Sequence, residues 1–120
     1  MTEKETKPKV LIELIRDYLF KVTFPDADTT LIADEPSPLG NLSGPNASRL
    51  LSAAVANCLC ASLAFCLRRS KVRLKGIKAE AEPVIERNKD GYWRVTRIGV
   101  MLKPQIEEFE DQNKLKRCLE

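Results

Sequence analysis

The sequence predicts an α+β domain built around one long helix, and three observations point there. Leu50 to Leu67 is an apolar run without a charged residue, bracketed by Arg49 and by Arg68-Arg69. Before it, Tyr18, Phe20, Val22 and Phe24 alternate with Leu19, Lys21 and Thr23, the pattern of a half-buried strand. After it, two strand-like segments flank Asn88-Lys-Asp-Gly91, a strong hairpin turn.

The elements follow in order. The polar stretch at 1–8 reads as a flexible tail, and 9–120 as a single domain. Val10 to Ile15 is ambiguous, because Val10, Leu11, Leu14 and Ile15 also suit one helix face. Two strands joined near Arg16-Asp17 are expected here, then a turn at 25–28 and a third strand at 29–34. The segment 35–48 is a loop dense in Pro, Gly, Ser and Asn. It lacks the Gly-Lys-Ser/Thr of a phosphate-binding loop. Asn46 is a fitting N-cap for a helix running from Ala47 to about Arg69, whose arginines suit the negative end of the dipole. Strands follow at 72–87, with Pro83 marking an edge or bulge, and at 91–104. The last segment, 105–120, reads as an amphipathic helix with Ile106, Phe109, Leu115 and Cys118 facing inward.

Composition narrows the chemistry. The chain has 120 residues, 43% hydrophobic and 31% charged, with a net charge of +3 that points to no partner by itself. It contains no histidine, so acid–base or nucleophilic chemistry falls to Cys, carboxylates, Arg, Lys or Tyr. No apolar leader precedes the first strand, so a cytoplasmic location with mostly reduced cysteines is expected. Asn41-Leu-Ser43 and Asn46-Ala-Ser48 match the glycosylation pattern, which such a location leaves unmodified.

Cys58, Cys60 and Cys66 all lie in the apolar run. Its length brushes the membrane-spanning threshold, but Ser52, Asn57 and Ser62 interrupt it, and a buried core helix has the same composition. No membrane partner is expected. On a helix, Cys58 and Cys60 point about 200° apart, and Cys66 lies roughly 80° from Cys58 two turns on. Such thiolates close no tetrahedral metal site and no disulfide within the helix. Two readings stay open: inert buried cysteines, or one reactive thiol among them. Lys71, Arg73 and Lys75 form a basic stripe without interleaved aromatics, which reads as a solvated face rather than a nucleic-acid surface. Tyr92 and Trp93 are candidates for a pocket lining, with Trp93 more simply a core residue.

At these residues the chain resembles the OsmC/Ohr family. SGPNASRLLSAAVANCLCASLAFCLRR is similar to the family's central helix motif, and the likeness extends through LKGIKAEAEPVIER and WRVTRIGVMLKP to RCLE. The resemblance implies an OsmC-like fold: a long buried central helix packed on antiparallel sheet, a second helix at the C-terminus, and an intertwined homodimer. It implies a thiol peroxidase acting on organic hydroperoxides in oxidative stress defence, without metal or cofactor, recycled by an external dithiol. Cys58 matches the family's peroxidatic cysteine. Arg16 or Arg49 corresponds to the activating charge, and Cys118 is the candidate resolving cysteine, although the family's own lies further along. The place of the family's helix-start glutamate reads Asn46-Ala-Ser48-Arg49, and the family's final strand has no counterpart. These departures keep a second reading open: a non-catalytic dimer that binds a hydrophobic small molecule at its interface, with Cys58 as a lining residue.

Overall fold

The computed structural model describes residues 5–108 and 111–120. Its packing divides the chain into two compact units, Met1–Leu50 and Leu51–Glu120.

The first unit is a three-stranded antiparallel sheet in the order β1 (Leu11–Arg16), β2 (Leu19–Phe24), β3 (Thr29–Ala33). The ambiguous segment at 10–15 is thus a strand, and pairing decides it: Leu11 to Arg16 register against Thr23 to Leu19. Asp17 turns the chain between them at φ 50°, a left-handed conformation that Asp tolerates better than most residues. Pro25–Ala27 make a short 3-10 turn, closed by Asp28 in the same conformation. Val22 is buried, in register with Ile12 on one side and Leu31 on the other. β1 is an edge strand with Leu11, Ile12, Leu14 and Ile15 all exposed.

The long helix α1 (Ala47–Arg69) has the predicted bounds. The Asn46 carboxamide oxygen accepts the Arg49 backbone N–H at 3.2 Å, an N-cap bond. At the other end the Lys71 N–H reaches the Arg68 carbonyl at 3.0 Å and the Val72 N–H reaches the Leu67 carbonyl at 2.9 Å. Those two bonds make a Schellman motif, with Lys71 at φ 62° where glycine is usual. Val72 and Leu67, the residues that such a motif brings together, are both buried.

In the second unit, β4 (Leu74–Arg87) and β5 (Trp93–Ile106) form a long antiparallel hairpin. The Asn88 side-chain oxygen accepts the Asp90 and Tyr92 amides, at 3.0 and 2.9 Å. Gly91 takes φ 86°, so the Asn-Lys-Asp-Gly turn forms as the sequence predicts. Pro83 pairs with Ile98 next to a register shift between Val84 and Ile85. In a two-stranded sheet both strands are edges, where proline's missing donor costs little. Helix α2 (Gln112–Leu119) closes the chain. The core holds Leu63 and Leu67 of α1 and Val72, packed against Leu74, Ile77, Leu102, Ile106, Leu115 and Cys118.

Four expectations are corrected. The last segment is not one helix from 105, because Ile106 ends β5 in register with Leu74, and α2 starts at Gln112. Phe109, expected to face inward, lies outside the described residues. α1 is not buried along its length: only Ser52, Leu63 and Leu67 are, because the core contacts just one of its faces. Trp93 is 59% exposed rather than core, and Arg87 stacks on its ring at 4.7 Å. Nor are the cysteines all reduced, since Cys66 and Cys118 form a disulfide.

Candidate active site around Cys58

α1 is apolar on nearly every side, so its sequence alone does not say which side turns inward. The structure does. Ser52, Leu63 and Leu67 lie within about 60° of one another around the axis and are buried. The opposite face carries Leu51, Ala54, Cys58, Ala61 and Phe65 at alternating spacings of three and four, and all five are exposed. Cys58 is the middle residue of that stripe.

Cys58 and Cys60 are the free thiols among the described residues, the first exposed and the second half-buried. The 200° between them on the helix separates their surroundings. Cys60 lines a shallow cavity with Asn57, Arg68 and Lys75, while Cys58 is on the uncovered stripe.

The other predicted site residues each have surroundings of their own. Arg49 donates from its guanidinium to the Asn46 side-chain oxygen at 2.9 Å, which folds it onto the helix start more than two turns before Cys58. Arg16, at the end of β1, lines a polar cavity with Asp17, Asp34, Asn41 and Ser43. Cys118 is bonded to Cys66, with the two Cα atoms 5.7 Å apart, and is not placed against Cys58. Cys58 and Cys66 are eight residues apart on one helix, about 12 Å along its axis, so Cys118 cannot serve both from one position. The tertiary pairing of Cys66 with Cys118 was invisible in the sequence, which orients cysteines around a helix but says nothing about what packs there.

A second feature lies in the first unit. The Asp34 carboxylate is buried and accepts the backbone N–H groups of Asn41 and Ser43, both at 3.1 Å. The Ser43 amide is the main cause that holds its pKa below the ordinary value; burial opposes it, and the Asn41 amide adds to it. The loop from Glu35 to Asn46 is folded around this carboxylate. A side chain at Gly40 would collide with the Asp34 carboxylate and the Glu35 carbonyl, and one at Gly44 with the Ile32 carbonyl. Next to this loop is an apolar cavity of about 290 Å³, lined by Ile12, Tyr18, Phe20, Val22, Ala33 and Leu50 together with the polar Asp34, Glu35 and Asn46.

No metal-ligating cluster of three or more His, Cys, Asp or Glu occurs among the described residues. By length and composition α1 could cross a membrane. The same helix lies inside the region matched by a family of known fold. The chain's residues 40–120 match the OsmC family, described as OsmC-like protein. Its fold is similar to that of an OsmC-like protein of unknown function from Vibrio cholerae O1 biovar eltor, at 11% identity and a TM-score of 0.79, covering 95% of this chain and 88% of that one. It is also similar to the organic hydroperoxide resistance protein OsmC from Legionella pneumophila, at 16% identity and a TM-score of 0.64, covering 97% and 84%. A third likeness is to the organic hydroperoxide resistance protein OhrB of Bacillus subtilis, at 19% identity and a TM-score of 0.60, covering 94% and 83%. Curated proteins give no significant match. The match over residues 40–120 takes in α1, the β4–β5 hairpin and α2, and so the chain belongs to the OsmC-like protein family.

Proposed function

We propose that this protein is a thiol-dependent peroxidase that reduces organic hydroperoxides through Cys58, in defence against oxidative stress. The observation that carries this reading is the placement of Cys58: a free, exposed thiol at the centre of the uncovered stripe, inside the family-matched region. The Cys58 thiolate attacks the terminal peroxide oxygen. The O–O bond breaks, Cys58 becomes a sulfenic acid, and the alkoxide takes a proton and leaves as an alcohol. An external dithiol then reduces the sulfenic acid to thiol and water, and is itself oxidised to a disulfide. With no histidine in the chain, the charge that favours the thiolate falls to arginine or lysine, and the family resemblance points to arginine. Arg16 and Arg49 are the candidates, brought to Cys58 by a second copy of the chain across the stripe. The protein works as a homodimer in the cytoplasm, and its apolar interface suits a hydrophobic peroxide better than hydrogen peroxide.

The test is consumption of cumene or tert-butyl hydroperoxide with dithiothreitol. Wild type should turn over, and Cys58→Ser should fall to the uncatalysed rate. Equal consumption by the two proteins would sink the enzyme reading.

One observation favours a second reading, a non-catalytic dimer that holds a hydrophobic small molecule. It is the apolar cavity of the first unit, next to a helix start with no carboxylate at Asn46-Ala-Ser48-Arg49. An unreactive Cys58 in protein that purifies with a bound lipid-like molecule would support it.

A further inference from the structure

We propose that the apolar cavity of the first unit is a binding site for a small primary amine, its apolar body held by the sheet and its ammonium group by the Glu35 carboxylate. This rests on the second reading above, in which the cavity holds a hydrophobic molecule, and adds the charge of that molecule. It does not depend on peroxide chemistry.

Strand register builds the apolar wall. Ile12 pairs with Val22 across β1 and β2, and Phe20 pairs with Ala33 across β2 and β3. Side chains alternate along a strand, so these four share one face of the sheet. Asn46, Ala47 and Leu50, at the start of α1, line the same cavity, and every lining residue belongs to the first unit. Its volume of about 290 Å³ falls just under the roughly 300–1,000 Å³ of small-molecule sites. That suits one ring with a short arm better than a long chain.

The sign of the charge selects the ligand. Asp34 and Glu35 are the charged residues that line the cavity, and both are acidic. Asp34 is already engaged: the Asn41 and Ser43 amides bond to it, and chiefly the Ser43 amide holds its pKa below the ordinary value. It therefore supplies a fixed negative charge. Glu35 is different. It is half-buried, and among the described residues its carboxylate accepts one bond, from the Asn46 side-chain nitrogen at 3.4 Å. A carboxylate has about four acceptor sites, so Glu35 has capacity for a donor on the ligand.

Two positive features lie nearby, and neither reverses the sign. The Arg49 guanidinium is bonded to the Asn46 side-chain oxygen at 2.9 Å and does not line the cavity. The start of α1 presents only about half a positive charge, against two carboxylates. A carboxylate on the ligand would thus meet like charge beside hydrocarbon, where screening is weak, while an ammonium group meets its opposite. The aromatic residues Tyr18 and Phe20 in the lining favour a cation further.

The test is binding to the full chain, read from NMR shifts of the Ile12, Val22, Ala33 and Leu50 methyl groups. The probes share one ring and differ in the head group: phenethylamine, phenethyl alcohol and phenylacetate. At neutral pH the amine should shift those methyls and bind at least about tenfold more tightly than the alcohol, with phenylacetate weakest. Added salt at about 1 M should narrow that gap. Glu35→Gln keeps an acceptor oxygen and removes the charge. In this variant the amine should fall to about the affinity of the alcohol, whose own binding stays as in wild type. Binding of the alcohol with no preference for the amine would overturn the proposal and leave the hydrophobic-ligand reading standing. A Glu35→Gln variant that keeps the preference would do the same. No methyl shift with any probe would overturn both.

Discussion

Asp34 shows how much of a loop can depend on one carboxylate. It is buried, yet remains charged because backbone amides of the chain it organises point at it. Its pKa is lowered on folding, so its contribution to stability is complete above the unfolded value near 4 and is lost as pH falls through the lower folded value. Asp34→Asn keeps the size and leaves one oxygen to accept both the Asn41 and Ser43 amides, but removes the negative charge that strengthens those bonds. The variant should melt at lower temperature than wild type at pH 6, and the gap should close as pH falls below about 4. Thermal melts of both proteins from pH 6 to 2.5 check this, and a gap independent of pH would refute it. The sequence placed Asp34 at a strand end and no more. Its role depends on Asn41 and Ser43, seven and nine residues away, folding back over it, and no local pattern encodes that.

At the scale of elements, what is local in sequence is also what was legible. Asn46 and Arg68-Arg69 bracket α1 at both ends because a cap and a dipole act within one turn. The Asn88–Gly91 turn was legible for the same reason. The boundary between β5 and α2 was not: Ile106 suits a helix face equally well, and only its partner Leu74 on the neighbouring strand makes it a strand residue. The end of α1 offers a prediction that sequence alone would miss. Lys71 holds the left-handed position of the Schellman motif, a conformation that costs a residue with a Cβ about 1–2 kcal/mol. Its side chain is exposed and lies outside the core cluster. Lys71→Gly should therefore stabilise the protein by about 1 kcal/mol, read as a higher midpoint in urea with an unchanged slope. Lys71→Val should destabilise it, since a β-branched side chain fits that conformation least well.

For the molecule as a whole, the uncovered faces need explaining. A folded chain does not gain by leaving a regular stripe of Leu51, Ala54, Cys58, Ala61 and Phe65 in water, with Phe65 65% and Leu51 47% exposed. The spacing of three and four is the one by which helices pack against helices, and small residues between large ones let two backbones approach. In the homodimer proposed above, a second copy covers that face. A symmetric interface uses each residue twice, so one substitution acts on both sides of it. Phe65→Asp removes an aromatic anchor and buries a charge, a change worth at least about 2 kcal/mol per copy in a well-packed interface. Counted twice, that weakens association by roughly a thousandfold, enough to turn a micromolar or tighter dimer into a monomer at working concentrations. Sedimentation should therefore give twice the chain mass for wild type and the single-chain mass for Phe65→Asp. The variant's β1–β3 amide exchange should stay as in wild type, which separates lost association from lost folding. Peroxide consumption should fall with the dimer if the activating arginine crosses the stripe, even though Cys58 itself is untouched. A wild-type protein that sediments as a monomer, or a Phe65→Asp variant that remains a dimer, would show that the stripe is covered by something else.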